Sequence, residues 1–142
     1  MQQALNAQMK TPGGKVAVIS TGLSSIADNG SGGSYAYRTS KCGVNMITKS
    51  LSCDLKAKEI AVVAIAPGMV ATELAGPGVD MTKMGAKPVA QAGDGIIGIM
   101  ETLTMETTGQ VHAHESAVGR GARLPPCPVS YTHLTLPTTP YV

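Results

Sequence analysis

The chain has 142 residues, enough for one domain, and 43% of them are hydrophobic but only 3% aromatic, so a core must come from Val, Ile, Leu, Met and Ala. A formal net charge of +2, with no basic run and no aromatic platform, argues against nucleic acid as a partner. No apolar run approaches the roughly 20 residues that span a bilayer, which argues against membrane insertion.

Residues 2 to 10 have the pattern of a helix end, with Ala4, Leu5, Ala7 and Met9 among polar neighbours. Thr11-Pro12-Gly13-Gly14 then breaks it. The segment starts as if mid-element, so Met1 reads as an internal methionine; no charged-then-apolar leader is seen. Lys15 to Ser20 is a short β-branched run and predicts a strand buried on both faces of a parallel sheet. Thr21 to Gly33 is a loop with an Asp28-Asn29-Gly30 turn signal. Ser31-Gly32-Gly33 does not follow a strand directly, which favours a flexible substrate-side loop over a phosphate cradle. Ser34 suits a helix N-cap.

From Tyr35 to about Lys58, Val44, Ile47, Leu51 and Leu55 recur at helical spacing, and Met46 and Cys53 extend the apolar surface to another face. Ile60 to Ala66 has no polar residue and predicts a central strand. Residues 74 to 87 have little periodicity and suit either a mobile lid or a plain long connection. Pro88 opens a second helix carrying Val89, Ala92, Ile96, Ile99 or Met100, and Leu103, weakened by Gly93, Gly95 and Gly98. After Thr107-Thr108-Gly109, Gln110 to His114 predicts a last strand. His112 and His114 share a face there, but no further ligands accompany them, so no metal site is expected. Cys42, Cys53 and Cys127 lack metal-ligand spacing; the two in the helix suit packing. An odd count without a secretion signal suggests reduced thiols and a cytoplasmic chain.

Within the first helix, Tyr37 and Lys41 stand at i and i+4, on one face and one turn apart. A free tyrosine has a pKa of about 10, and a nearby cation favours phenolate. A Tyr–Lys pair on a rigid helix can thus transfer protons, although on spacing alone such a pair is more often two surface neighbours. The predicted parallel strands place Ser20/Thr21 and Pro67/Gly68 at carboxyl ends, where such sheets bind ligands.

The order is a strand, Tyr37-Arg38-Thr39-Ser40-Lys41 on a helix, a strand, then Pro67-Gly68-Met69-Val70-Ala71-Thr72. Over about residues 10 to 113 it resembles the C-terminal half of a short-chain dehydrogenase/reductase. Ser25-Ile-Ala-Asp-Asn, Gly32-Gly33 and Tyr35-Ala-Tyr-Arg-Thr-Ser-Lys41 look closest to the C-factor-like carbonyl reductases. The resemblance implies an α/β fold, the C-terminal part of a doubly wound, Rossmann-like parallel sheet truncated at the N-terminus. It implies carbonyl reduction or alcohol oxidation with NAD or NADP and a small-molecule substrate. Tyr37 would be the general acid, and Lys41 would assist it and hold the nicotinamide ribose. Thr21 matches the position of the substrate-side serine, with Ser20, Ser24 and Ser25 as alternatives. Pro67, Gly68, Val70 and Thr72 match cofactor contacts. The 35–58 helix commonly builds a homo-oligomer interface in this family, and packing within the monomer is the other expectation.

No Gly-x-Gly-x-x-Gly opens a helix after a first strand, and no residue selecting NAD from NADP is found. We therefore expect a partial dehydrogenase domain over 1–114, inactive alone. Residues 115–142 are expected to be a non-native or disordered tail, because 128–139 resemble a translated sequencing adapter. A non-enzymatic pairing module built on the 35–58 helix is the alternative.

Overall fold

The computed structural model describes residues 12–113. The expected helix end at 2–10, the second half of a 1–114/115–142 division, His114 and Cys127 lie outside them.

Three parallel strands form one sheet in the order β1 (Lys15–Ile19), β2 (Ala61–Ala66), β3 (Gln110–Ala113). Helix α1 (Tyr35–Asp54) connects the first two strands and α2 (Val89–Thr102) the last two. This is the α/β parallel-sheet architecture expected. The helices cover opposite faces, because alternate residues of a strand point opposite ways. Leu51 and Leu55 of the α1 side pack with Ile60, Val62 and, across the ladder, Val16. Ala61, Val63 and Ile65 face the other way, onto Leu103, Ile96, Ile99 and Met100. Every residue of β2 is consequently buried.

Strand β1 corrects one expectation. Its residues alternate exposed and half-buried instead of being buried on both faces. Ala17 and Ile19 pair in register with Val63 and Ile65, on the α2 face. Helix α2 packs over β2 and leaves them uncovered. At the start of β1, Lys15 Nζ donates to the carbonyls of Met100 and Glu101 at 2.7 and 3.0 Å. A cation there complements the negative end of the α2 dipole.

Helix α1 ends at Asp54, and Lys56–Lys58 tighten into a 3-10 turn. Its sheet-facing side is not the one that apolar spacing alone picks out. Thr48 and Ser52 are buried beside Leu51 and Leu55, whereas Ile47 and Met46 are 45% and 50% exposed. Cys53, expected to pack, is exposed. Ser34 stands at the N-cap position but in the left-handed region, φ 48°, and makes no side-chain cap. A capping side chain needs the extended backbone that aims its oxygen at the first-turn amides.

Gly93, Gly95 and Gly98 reproduce the Gly-x-Gly-x-x-Gly spacing inside α2, beyond its first turn. Amides there bond to carbonyls one turn back, so none is presented to a phosphate. Gly109 begins the approach to β3 at φ +75°, and a Cβ on it would lie 2.3 Å from Ser52 Oγ. Its amide donates to Val62 O at 2.7 Å, and Thr108 Oγ1 accepts from Val62 N, which extends the ladder by a side chain.

Candidate active site

The carboxyl ends of β1 and β2 lie side by side. Ile19 pairs with Ile65, and Ser20 N donates to Ile65 O at 2.7 Å, which carries the ladder one residue further. Thr21 and Pro67 are the next residues on each strand. The first turns of α1 rise over this edge.

Tyr37 lies in the first turn of α1 and Lys41 one turn on. Lys41 Nζ sits 6.0 Å from the centre of the Tyr37 ring, the outer reach of a cation–π contact. It also donates to Ile19 O at 3.0 Å. That bond anchors the ammonium to the last residue of β1, so cation, ring and strand tip share one place. Tyr37 is 40% exposed, which leaves the ring open to a ligand.

The candidate hydroxyls separate. Ser20 is buried and donates to Asn45 Oδ1 at 2.6 Å. Ser24 is buried, accepts from Asn45 Nδ2 at 2.8 Å and donates to the Thr21 carbonyl. Ser25 donates to Asp28 Oδ2 at 2.7 Å and closes a turn. Thr21 is half-buried at the strand tip. Its Oγ1 accepts from Leu23 N at 3.3 Å, capping the 3-10 turn Gly22–Ser24. A hydroxyl used as an acceptor keeps its own proton to donate.

Beyond β2, Gly68 turns at φ +80°, a conformation that favours glycine. Val70 forms a parallel bridge with Lys87: Lys87 N donates to Met69 O at 3.0 Å and Ala71 N to Lys87 O at 2.9 Å. Residues 70–87 are therefore a loop pinned at its neck, with 3-10 turns at Glu73–Ala75 and Met81–Met84. Thr72 caps the first by accepting from Leu74 N, and Asp80 caps the second. Hydrogen bonds from Thr82 hold the Asp80 carboxyl below the usual range. A cavity of about 520 Å³ lies within the loop, lined by Thr72, Glu73, Gly78, Asp80 and Met81 among others. Pro67 and Gly68 thus reach the strand tip, while Val70 and Thr72 continue into the pinned loop.

Sequence patterns did not single out Arg38. Its guanidinium donates to Leu23 O, Gly33 O, Gly32 O and Ser31 Oγ at 2.9–3.1 Å. The 22–33 loop is therefore tied to α1 through this one side chain. One planar fork satisfies acceptors along the loop, which a single ammonium cannot reproduce. Arg38→Lys should weaken the loop's local stability by about 1.5 kcal/mol. Thermolysin cleavage before Leu23 or Ile26 should then run about tenfold faster. An unchanged rate would mean that something else holds the loop.

Residues 1–83 match the family described as short chain dehydrogenase. The chain belongs to that family. The 1-hydroxy-2-glutathionyl-2-methyl-3-butene dehydrogenase of Rhodococcus sp. (strain AD45) is 37% identical over 100 residues, 69% of this chain and 42% of that protein. The C-signal protein of Myxococcus xanthus is 32% identical over 96 residues, 68% of this chain and 54% of that protein, in keeping with the C-factor-like resemblance. Among solved structures, the carbonyl reductase Sniffer of D. melanogaster superposes with a TM-score of 0.61 at 32% identity, covering 78% of this chain and 43% of that one. An NADPH-bound carbonyl reductase from chicken fatty liver gives 0.61 at 26% identity, covering 70% and 39%. The chain spans about half the length of the relatives it matches. Among the described residues, no helix is long and apolar enough to cross a membrane.

Proposed function

We propose that these residues form the nicotinamide side of an NAD(P)-dependent carbonyl reductase, working on a small carbonyl or alcohol in the cytoplasm. The observation that carries this is Lys41, which lies beside the Tyr37 ring and is bonded to the tip of β1. A nicotinamide dinucleotide, when bound, supplies the hydride. The residues present fit such a group. One of the three Lys41 N–H donors is held by Ile19 O, which leaves two for ribose hydroxyls. Gly68 has no side chain to obstruct a ring at the tip of β2.

Tyr37 gives its phenolic proton to the substrate carbonyl oxygen, a contribution of about 10²–10⁴ in rate. The Lys41 ammonium stabilises the negative charge left on the phenol oxygen. Thr21 donates its O–H to the same substrate oxygen and orients it. Support for Thr21 is that Ser20, Ser24 and Ser25 have their protons engaged elsewhere. Pro67, Gly68, Val70 and Thr72 line the approach of the cofactor. The functional part is residues 1–114, and the tail has no role in it.

The adenosine half of such a cofactor needs a glycine loop at a helix start, and the Gly93–Gly98 spacing is mid-helix. The 142-residue polypeptide alone should therefore bind NADPH weakly and turn nothing over. Calorimetric titration should give a Kd of about a millimolar or weaker. Micromolar binding would overturn this division of the site.

A pairing module remains a second reading, because Met46 and Ile47 leave an apolar outer face on α1. The reading is of a non-enzymatic module: a dimer in sedimentation that Met46→Glu dissociates, together with no carbonyl reduction by the protein translated from the complete reading frame, would favour it, and a monomer would sink it.

A further inference from the structure

We infer that Asn45 is a positioning residue for Thr21, a role that rests on our reading of Thr21 as the substrate-side hydroxyl. The buried hydroxyls of Ser20 and Ser24 flank the Thr21 turn, and the Asn45 side chain bridges them. The proton directions close consistently. A carbonyl can only accept, so Ser24 O–H must donate to Thr21 O, 2.5 Å away. Ser24 Oγ then accepts from an N–H, which fixes the NH₂ of Asn45 toward Ser24 at 2.8 Å. The amide oxygen is left for Ser20 O–H at 2.6 Å. Cys42, on the same helix, donates its S–H to Ser24 O at 3.1 Å.

This arrangement grips both ends of a five-residue segment whose only outward-facing member with an unengaged O–H is Thr21. The Asn45 amide both donates to Ser24 and accepts from Ser20, from two atoms of one planar group. An ionised carboxylate accepts from Ser20 but cannot donate, and it draws the Ser24 proton off the Thr21 carbonyl. Asn45 and Lys41 lie one turn apart on α1. One helix therefore places the cation by Lys41 and the hydroxyl by Asn45, in fixed relation to each other.

Backbone hydrogen exchange on the full 142-residue chain reads the grip without any ligand. Asn45→Ala and Asn45→Asp should raise exchange at Leu23 and Ser24, whose amides bond to Thr21, by about tenfold or more. Val63, in the middle of β2, should stay within about twofold. If Val63 also speeds up in Asn45→Ala, the more conservative Asn45→Asp decides. Exchange at Leu23 and Ser24 within about twofold of wild type in the folded variant overturns the proposal.

Turnover gives the second readout, in the protein translated from the complete reading frame around these residues, with NADPH and 4-nitrobenzaldehyde as probes. Asn45→Asp should lower kcat about tenfold and leave KM for NADPH within about twofold, because Lys41 and the β2 tip are untouched. An unchanged kcat alongside an impaired Thr21→Ala variant means that Asn45 does not position the hydroxyl. If Thr21→Ala itself keeps full kcat, the reading of Thr21 fails and the positioning role falls with it.

Discussion

Replacing Tyr37 by Phe, in the protein translated from the complete reading frame, should lower kcat for NADPH-dependent carbonyl reduction by about 10³-fold. The substitution removes one oxygen at the exposed edge of α1 and leaves the ring against Lys41 Nζ, 6.0 Å from its centre. The apolar core is untouched, because the fully buried residues of α1 begin at Thr48, three turns further on. KM for NADPH should change little, and melting temperature should move by no more than about a degree or two. Loss of activity with loss of fold would instead assign Tyr37 a packing role. Full activity in the Phe variant would remove the phenol from the chemistry.

Leu55→Ala should destabilise the described domain by about 2–5 kcal/mol, a large share of the roughly 5–15 kcal/mol that a domain possesses. Leu55 has no exposed surface and packs with Leu51, Ile60 and Val62 where α1 turns into β2. Truncation there leaves a void between two elements that the backbone already fixes, including the Leu55 N to Leu51 O bond at 2.9 Å. Met46→Ala, on the outer face of the same helix, should cost within about 0.5 kcal/mol. Urea denaturation of the two variants side by side measures the difference. Equal costs would mean that α1 packs with a different face than the one described.

The contrast between Leu55 and Met46 also shows what spacing could and could not convey. Leu51 and Leu55 were legible as core because their periodicity matches a helix. Ile47 was counted with them and is exposed, while Thr48 and Ser52 took the buried positions. Hydroxyls can do so because they satisfy themselves on the helix: Thr48 Oγ1 donates to Val44 O at 2.9 Å and Ser52 Oγ to Lys49 O at 2.7 Å. A pattern of apolar letters omits residues that carry their own hydrogen-bond partner. For β1, composition told that both faces are apolar but not which neighbours cover them.

The nearness of Tyr37 and Lys41 was legible because helix geometry brings i and i+4 together, while the role proposed for them came from the resemblance. The tip of β2 was legible from Pro67-Gly68 after an unbroken apolar run. Arg38 and Asn45 were not. Each acts on residues 5 to 25 positions away, through loop carbonyls and hydroxyls that have no sequence signature. The neck of the 70–87 loop was hidden for the same reason, since a backbone bridge from Val70 to Lys87 leaves no mark on residue type.

The most direct test is to add reduced nicotinamide mononucleotide, which lacks the adenosine half, to isotopically labelled 142-residue chain and follow amide and side-chain shifts by NMR. Saturable changes in the millimolar range should centre on Tyr37, Lys41, Gly68 and Val70, and Lys41→Met should abolish them. Shifts confined to residues remote from the tips of β1 and β2, or changes that persist in Lys41→Met, would contradict a nicotinamide site at the Tyr37–Lys41 pair.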